Sequence, residues 1–436
     1  MKPIPIQASQ APAHEAAVGA YRLGPLSLHH LLLAPHRLTF FAGTLMLVLV
    51  SLAWTWALGV PHVGLTVVTT LPPTTAHAFI FAAAYMPLFI AGFMYTAGPR
   101  WLQVPAPAAA QLRWPVRLHM AGIALLLVGA VYEPAIAAFG ALLLAIAWTA
   151  VGVGFAALVR ASRTADRLHA RCVAAFWMVG ISAALLFAAA LGTHHLGAAS
   201  LAAWLLLFAS VIPITATVAH RVLPFFTTNA VTGVFPWRPN WVLALLLLAV
   251  AAFGTLQFAA RIGALGPRSQ AWASLALLAP GAIALGALAV RWGLVQSLRS
   301  PSQRLLAMLH LAFAWLPLAL ALACADAVLR LAAGESAGLG LAPLHALTLG
   351  MLGSLLFAMA TRIVCGHGGI ALVADKPVWR LFWLLQAAVL LRMAAPLSPG
   401  GVLPLAAATL WTVVWVAWAL RYLPVLLRPG ASPRTA

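Results

Sequence analysis

The chain has 436 residues, of which 64% are hydrophobic and 7% charged. A soluble domain carries roughly 25% charged residues, so the composition excludes a water-soluble globule and leaves an all-α, polytopic membrane bundle. The net charge of +19 does not indicate a nucleic-acid partner, because the basic residues form neither a block nor an aromatic-interleaved stripe. Residues 1–37 form a leader that lacks the charged start, apolar core and small-residue cleavage site of a signal peptide. Twelve spans are then predicted, over 38–60, 75–97, 115–132, 135–159, 172–196, 199–222, 241–260, 270–291, 304–330, 340–364, 378–397 and 402–424. Residues 38–424 therefore form one membrane domain, and 425–436 read as a disordered cytoplasmic tail.

The basic residues support this count. Of the 25 Lys and Arg, 21 fall on the side of the two termini, and four, Arg261, Arg268, Arg330 and Arg392, fall on the other. Cationic loops stay in the cytoplasm, so both termini are expected there. Cys172, Cys324 and Cys365 are too far apart to form a CxxC site and too few for a disulfide framework.

The most informative stretch is His345 to Gly369. It is an apolar helix with His345 at one end, Arg362 and His367 at the other, and Gly350 and Gly353 on one flank. Polar groups in a bilayer cost free energy and often mark function. Topology places His77 and His345 just inside the outer ends of their spans, each after turn residues (Pro72-Pro73 and Pro343), and places His36 and His367 at the cytoplasmic face. The spans hold almost no carboxylates. Asp326 is the exception, and Arg330 lies one turn on. Proton-driven transporters commonly use intramembrane Asp or Glu, and hard cations need carboxylate oxygens. Neutral imidazole suits haem iron and copper, and arginine matches the geometry of haem propionates. Small residues beside His77 and His345 would admit a flat macrocycle or another helix. For any single histidine here a structural cap or interface placement is the first reading, and only for His77 and His345 does ligation stand level with it.

Four stretches together resemble the NnrS family of twelve-span bacterial membrane proteins. They are Ala34-Pro35-His36-Arg37 followed by Phe40-Phe41; His77 to Trp101, with Ala91-Gly92-Phe93; Arg221-Val222-Leu223-Pro224-Phe225-Phe226-Thr227; and His345, Gly350, Gly353, Thr361-Arg362 and Gly366-His367. The resemblance implies a haem- and copper-containing protein of the bacterial cytoplasmic membrane, tied to nitric oxide metabolism. Two departures stand out. The family's H-A-H-E element is His77-Ala78-Phe79-Ile80 here, and His220 replaces a small residue before Arg221.

These readings make His77 and His345 the expected metal or haem ligands. Arg37, Arg221, Arg362, His36 and His367 are the expected second cluster, for propionates, an anionic ligand or a second metal. The expected partners are membrane lipid and a small gas such as nitric oxide, which reaches a buried iron through lipid. Redox turnover of that gas is left open. A transporter of a metal complex or small anion is the alternative, and an assembly partner whose histidines merely cap helices is a third.

Overall fold

The computed structural model describes residues 24–429, except 67, 232–233, 300 and 398–399. Lys2, His14, Arg22, Arg434 and most of both terminal segments lie outside the described residues. Among the described residues there are helices and no strand. A bilayer offers backbone groups no water, and a helix satisfies them within its own segment.

Eleven helices are long and apolar enough to cross a membrane. They are α1 (Pro35–Val63), α2 (Pro73–Thr96), α3 (Ala109–Val131), α4 (Pro134–Ala161), α5 (Leu168–Gly192), α6 (Leu196–Ala230), α7 (Asn240–Arg261), α8 (Pro267–Arg291), α9 (Arg304–Ala333), α10 (Ala342–Gly368) and α12 (Val402–Leu426). The predicted span at 378–397 is α11 (Lys376–Met393), 18 residues long. It is more polar than the rest because Lys376, Arg380 and Arg392 all lie within it. Its two ends show that it traverses the bundle all the same. Asp375, just before it, pairs with Arg421 near the end of α12, whereas Arg392 shares a cavity wall with His345 at the start of α10. Among the described residues the chain thus crosses the bundle twelve times, eleven of them with helices long and apolar enough to span a membrane.

Even passes bring both ends of the described chain to one face. There the Ser27 N–H donates to the Leu427 carbonyl at 2.8 Å. This is the terminal face, and the opposite end of the bundle is the far face. Sequence neighbours pack side by side, most closely α3 on α4, α4 on α5, α8 on α9 and α11 on α12, while α1 lies against α12 and joins the two ends of the chain. Tyrosine, tryptophan and small hydroxyl side chains tie the passes together. Trp411 donates to Ser51 at 3.0 Å, Trp418 to Thr361 at 2.9 Å, and Trp315 to Gln386 at 2.7 Å. Gln386 in turn donates to Ser354 at 2.9 Å, so α9, α11 and α10 share one buried chain of hydrogen bonds. Interhelical bonds in membranes average about 0.6 kcal/mol each, so their main effect is on register.

Three passes are irregular. Pro87 lacks an N–H and crowds the preceding turn, and α2 breaks at Tyr85, whose φ is −125°. At this break the Ala84 carbonyl accepts from His119 at 2.9 Å. In α6 the residues Leu207–Val211, just before Pro213, form a π-helical segment, and in α10 the residues Ala346–Gly353 do the same. Such widened turns are frequent at functional sites.

Close helix approach depends on glycine in α3 and α4. A Cβ on Gly140 would stand 2.6 Å from the Gly122 carbonyl, and one on Gly122 would stand 2.8 Å from the Gly140 carbonyl. Backbone cannot yield as a flexible side chain can. Gly140→Val is therefore expected to destabilise the bundle by about 1–3 kcal/mol, the usual cost of overpacking. Gly286→Ala, where nothing lies within 4 Å, serves as the neutral control. Thermal unfolding in detergent checks the pair, and equal midpoints would contradict the packing described.

Candidate functional site

The irregular passes converge on one cavity of about 380 Å³ that runs from the far face to the middle of the bundle. Tyr85 and Met86 line it from the break in α2, Leu207 and Val211 from α6, and Thr348, Leu349 and Leu352 from α10. Irregular backbone in a membrane is tolerated where it lines a cavity or is buried in protein.

His77 and His345 both line this cavity. His345 is 7% exposed, and its Nδ1 lies 2.9 Å from the Leu341 carbonyl. A carbonyl only accepts, so Nδ1 carries the proton and Nε2 keeps its lone pair. Ligating imidazoles are usually oriented by a bond of this type. The His77 ring stacks on Trp54 at 4.0 Å and lies 4.4 Å from Phe81. Its buried Nδ1 has no hydrogen-bond partner. A buried polar atom without a partner is costly, so one supplied from outside the protein would relieve it.

The cavity is otherwise apolar and aromatic, with Trp54, Phe81, Trp411 and several leucines. Two cations also line it, Arg392 and Arg261, and no carboxylate does. Neither arginine was among the sequence-predicted site residues. The signal was nevertheless present, because both belong to the four basic residues on the minority side. A second cavity of about 560 Å³ adjoins the first, sharing Ala78, Leu207, Arg261, Leu341 and Leu344, and holds the Asp326–Arg330 pair.

Of the two uses open to the glycines of α10, close contact with a neighbouring helix or room for a macrocycle, the structure shows the first. A Cβ on Gly350 would stand 2.6 Å from the Trp315 ring, and one on Gly353 would stand 2.7 Å from Trp411. They seat tryptophans, one of which forms the cavity wall.

At the terminal face the five predicted residues separate into four groups. The His36 and His367 rings are 4.5 Å apart between centroids. His36 Nδ1 meets the Thr96 hydroxyl at 3.3 Å, and its buried Nε2 has no partner. His367 Nδ1 lies 3.2 Å from the Ile363 carbonyl, which again leaves Nε2 unprotonated. Gly369, with φ +71°, then ends α10. Arg37 is turned to α12, where it donates to the Leu426 and Arg428 carbonyls. Arg362 lies over the Phe226 ring at 3.8 Å. Arg221 pairs with Asp166 at 2.8 Å and lies over Trp101 at 4.8 Å. It also stands 3.5 Å from His169, whose Nε2 is 2.9 Å from His220 Nδ1, and His220 Nε2 reaches the Pro239 carbonyl at 3.2 Å. Read back from that carbonyl, every proton is placed: His220 donates to Pro239, His169 to His220, and Arg221 to His169. The unusual His220 thus belongs to a satisfied structural chain.

His119 is likewise satisfied, since its Nε2 donates to Ala84 and its Nδ1 accepts from Trp148 at 3.0 Å. The other departure has a structural explanation too. Phe79 stacks on Phe187 of α5 at 3.7 Å and 7°, so it points into the bundle, and it is not among the residues lining the His77 cavity. Among the described residues, no three His, Cys, Asp or Glu side chains are grouped to hold a metal ion.

The fold and these polar clusters define a multi-pass, all-helical membrane protein. Comparison with known protein families matches residues 30–430 to the family described as NnrS protein, and the chain belongs to that family. No curated protein matches it.

Outside the membrane-spanning segments, Asp166 is held by its partners. Partial burial alone would raise its carboxyl pKa, but the hydrogen bond and charge of Arg221, with Arg238 beyond, outweigh burial and hold it below its ordinary value. A depressed carboxyl contributes stability above its unfolded value near ~3.9 and loses it as pH falls through the folded value. The Asp166 side chain is 48% exposed, so Asp166→Asn is expected to cost about 0.2–1 kcal/mol at pH 7, less at high salt. That difference should close below about pH 4, as unfolding midpoints of the two proteins across pH would show.

Proposed function

We propose that the protein is a haem protein of the bacterial cytoplasmic membrane that acts in the nitric oxide response, with the terminal face in the cytoplasm. NnrS proteins are linked to that response, and the chain is a polytopic member of the family. One observation carries the cofactor reading. Two imidazoles from different passes face one apolar cavity, one with its lone pair exposed by a backbone bond and the other with a buried nitrogen lacking a partner.

The donor set fits haem. His345 would hold the iron, His77 would supply the second imidazole of the site, and Trp54, Phe81 and Trp411 would flank an apolar ring. Bound haem supplies an iron that takes a small apolar gas. The chain's own residues set the conditions around it. Leu341 fixes the His345 proton, Trp54 fixes the His77 ring, and the apolar wall keeps bulk water from the site. Nitric oxide needs no aqueous channel, because lipid conducts it to the bundle. At the opposite face His36 and His367 offer two imidazole nitrogens, a donor set suited to copper.

A transporter reading has one observation in its favour, the convergence of three interrupted helices on the cavity. The cavity runs from the far face to the middle of the passes, where Ser51, Tyr85, Met86 and Leu352 line it, so its depth is compatible with either reading. An optical spectrum of the purified protein separates the readings. A Soret band that shifts on adding nitric oxide supports haem, and a colourless protein holding a transition metal supports transport. His345→Ala is expected to abolish the band while leaving expression intact. A surviving band would refute the ligand assignment.

A further inference from the structure

The far face carries four arginines against the charge bias that sets topology, and two of them, Arg261 and Arg392, line the His77–His345 cavity. A cation on this side of a membrane protein works against orientation, so another contribution must retain it. The terminal-face arginines illustrate the usual solution. Arg37 is bonded to two carbonyls, and Arg221 and Arg421 are paired with carboxylates. Arg392 differs. It is half-buried and, among the described residues, makes no hydrogen bond or ion pair. Arg261, at the exposed mouth, makes one bond, to the Ser200 hydroxyl at 3.1 Å.

No carboxylate on the cavity wall balances these charges. The nearest acid of the adjoining cavity is Asp326, which is committed to Arg330 and to the Leu339 N–H. Removing a guanidinium from water without a partner is expensive. The deficit is therefore negative charge, and the planar fork of arginine matches carboxylate in particular. The remaining wall restricts the ligand further. Trp54, Phe81, Met86, Leu352 and Trp411 give it a broad apolar surface. A small hydrated inorganic anion would gain nothing from such a surface. An apolar body with acidic groups at its edge would satisfy both parts.

We propose that this cavity binds an apolar ligand bearing carboxylate, and that Arg392, with Arg261 at the mouth, is its carboxylate clamp. The proposal rests on the cavity being the binding site described above, and it adds the ligand's charge and orientation: acidic edge toward the far face, apolar body toward Trp411 and the α10 histidine. Two sources share this chemistry, a dicarboxylate porphyrin and a fatty acid released from lipid.

The test uses the full chain, purified in detergent and stripped of bound ligand. Fluorescence titration compares zinc protoporphyrin IX with its dimethyl ester, which keeps the ring and lacks the charge. The acid form should bind about tenfold or more tightly than the ester, as expected for a charge-assisted hydrogen bond. Arg392→Gln should bring the two affinities together by weakening the acid form and leaving the ester unchanged. Arg268→Gln, a far-face arginine that does not line the cavity, should leave the preference intact, and unfolding midpoints confirm that both variants are folded. If the wild-type protein binds acid and ester equally, or Arg392→Gln keeps the preference, the clamp is refuted while the haem reading stands. If neither porphyrin binds, the haem reading fails. Oleate against oleyl alcohol then decides the clamp, since an Arg392-dependent preference for oleate upholds it and no preference overturns it.

Discussion

A polar group inside a bilayer has no solvent to turn to, so it must find a partner within the bundle or bring one in. Many buried polar side chains among the described residues follow the first course, although a few buried atoms, Trp415 Nε1 and His310 Nδ1 among them, have no partner. The indoles of Trp315, Trp411 and Trp418 end on side-chain oxygens of neighbouring passes, and His119 uses both ring nitrogens. Against that background the few atoms without partners carry information. His77 Nδ1 and His36 Nε2 are buried and unpaired, and each belongs to a cluster of imidazoles and arginines.

Arginines near the membrane edge differ in what answers them. At the terminal face Arg37, Arg221, Arg362 and Arg421 meet carbonyl, carboxylate or aromatic ring, and three of these are among the five residues that the sequence had suggested for a ligand. On the far face Arg392 stands beside a cavity with its charge unanswered. The same residue type thus has opposite meanings at the two ends, and the difference lies in what surrounds it.

The interrupted helices explain how the far-face cavity exists at all. Three regular passes would pack ridge into groove and close the space. The break at Tyr85 and the widened turns of α6 and α10 displace their backbones where they meet, and the cavity opens between them. Gly350 and Gly353 then admit Trp315 and Trp411, which brace the opening with side chains anchored on Gln386 and Ser51.

Length, hydropathy and the placement of basic residues were enough to determine the class, the helix positions and the pairing of both termini on one face. These are properties of segments, and a segment's transfer into lipid depends on its own composition. The same local reading weakened at 376–393, where three cations made α11 less apolar than its neighbours although it still traverses the bundle. Motif spacing also marked His77 and His345, because Pro72-Pro73 and Pro343 announce helix starts in the sequence. Tertiary structure alone decided which histidines were satisfied, that Arg37, Arg221 and Arg362 turn away from a common site, and that Arg392 faces the imidazoles. Those outcomes depend on which passes are neighbours and on how far a π turn rotates a side chain. Both are set by contacts between residues up to several hundred positions apart, such as Trp411 with Ser51, and no single segment's composition records them.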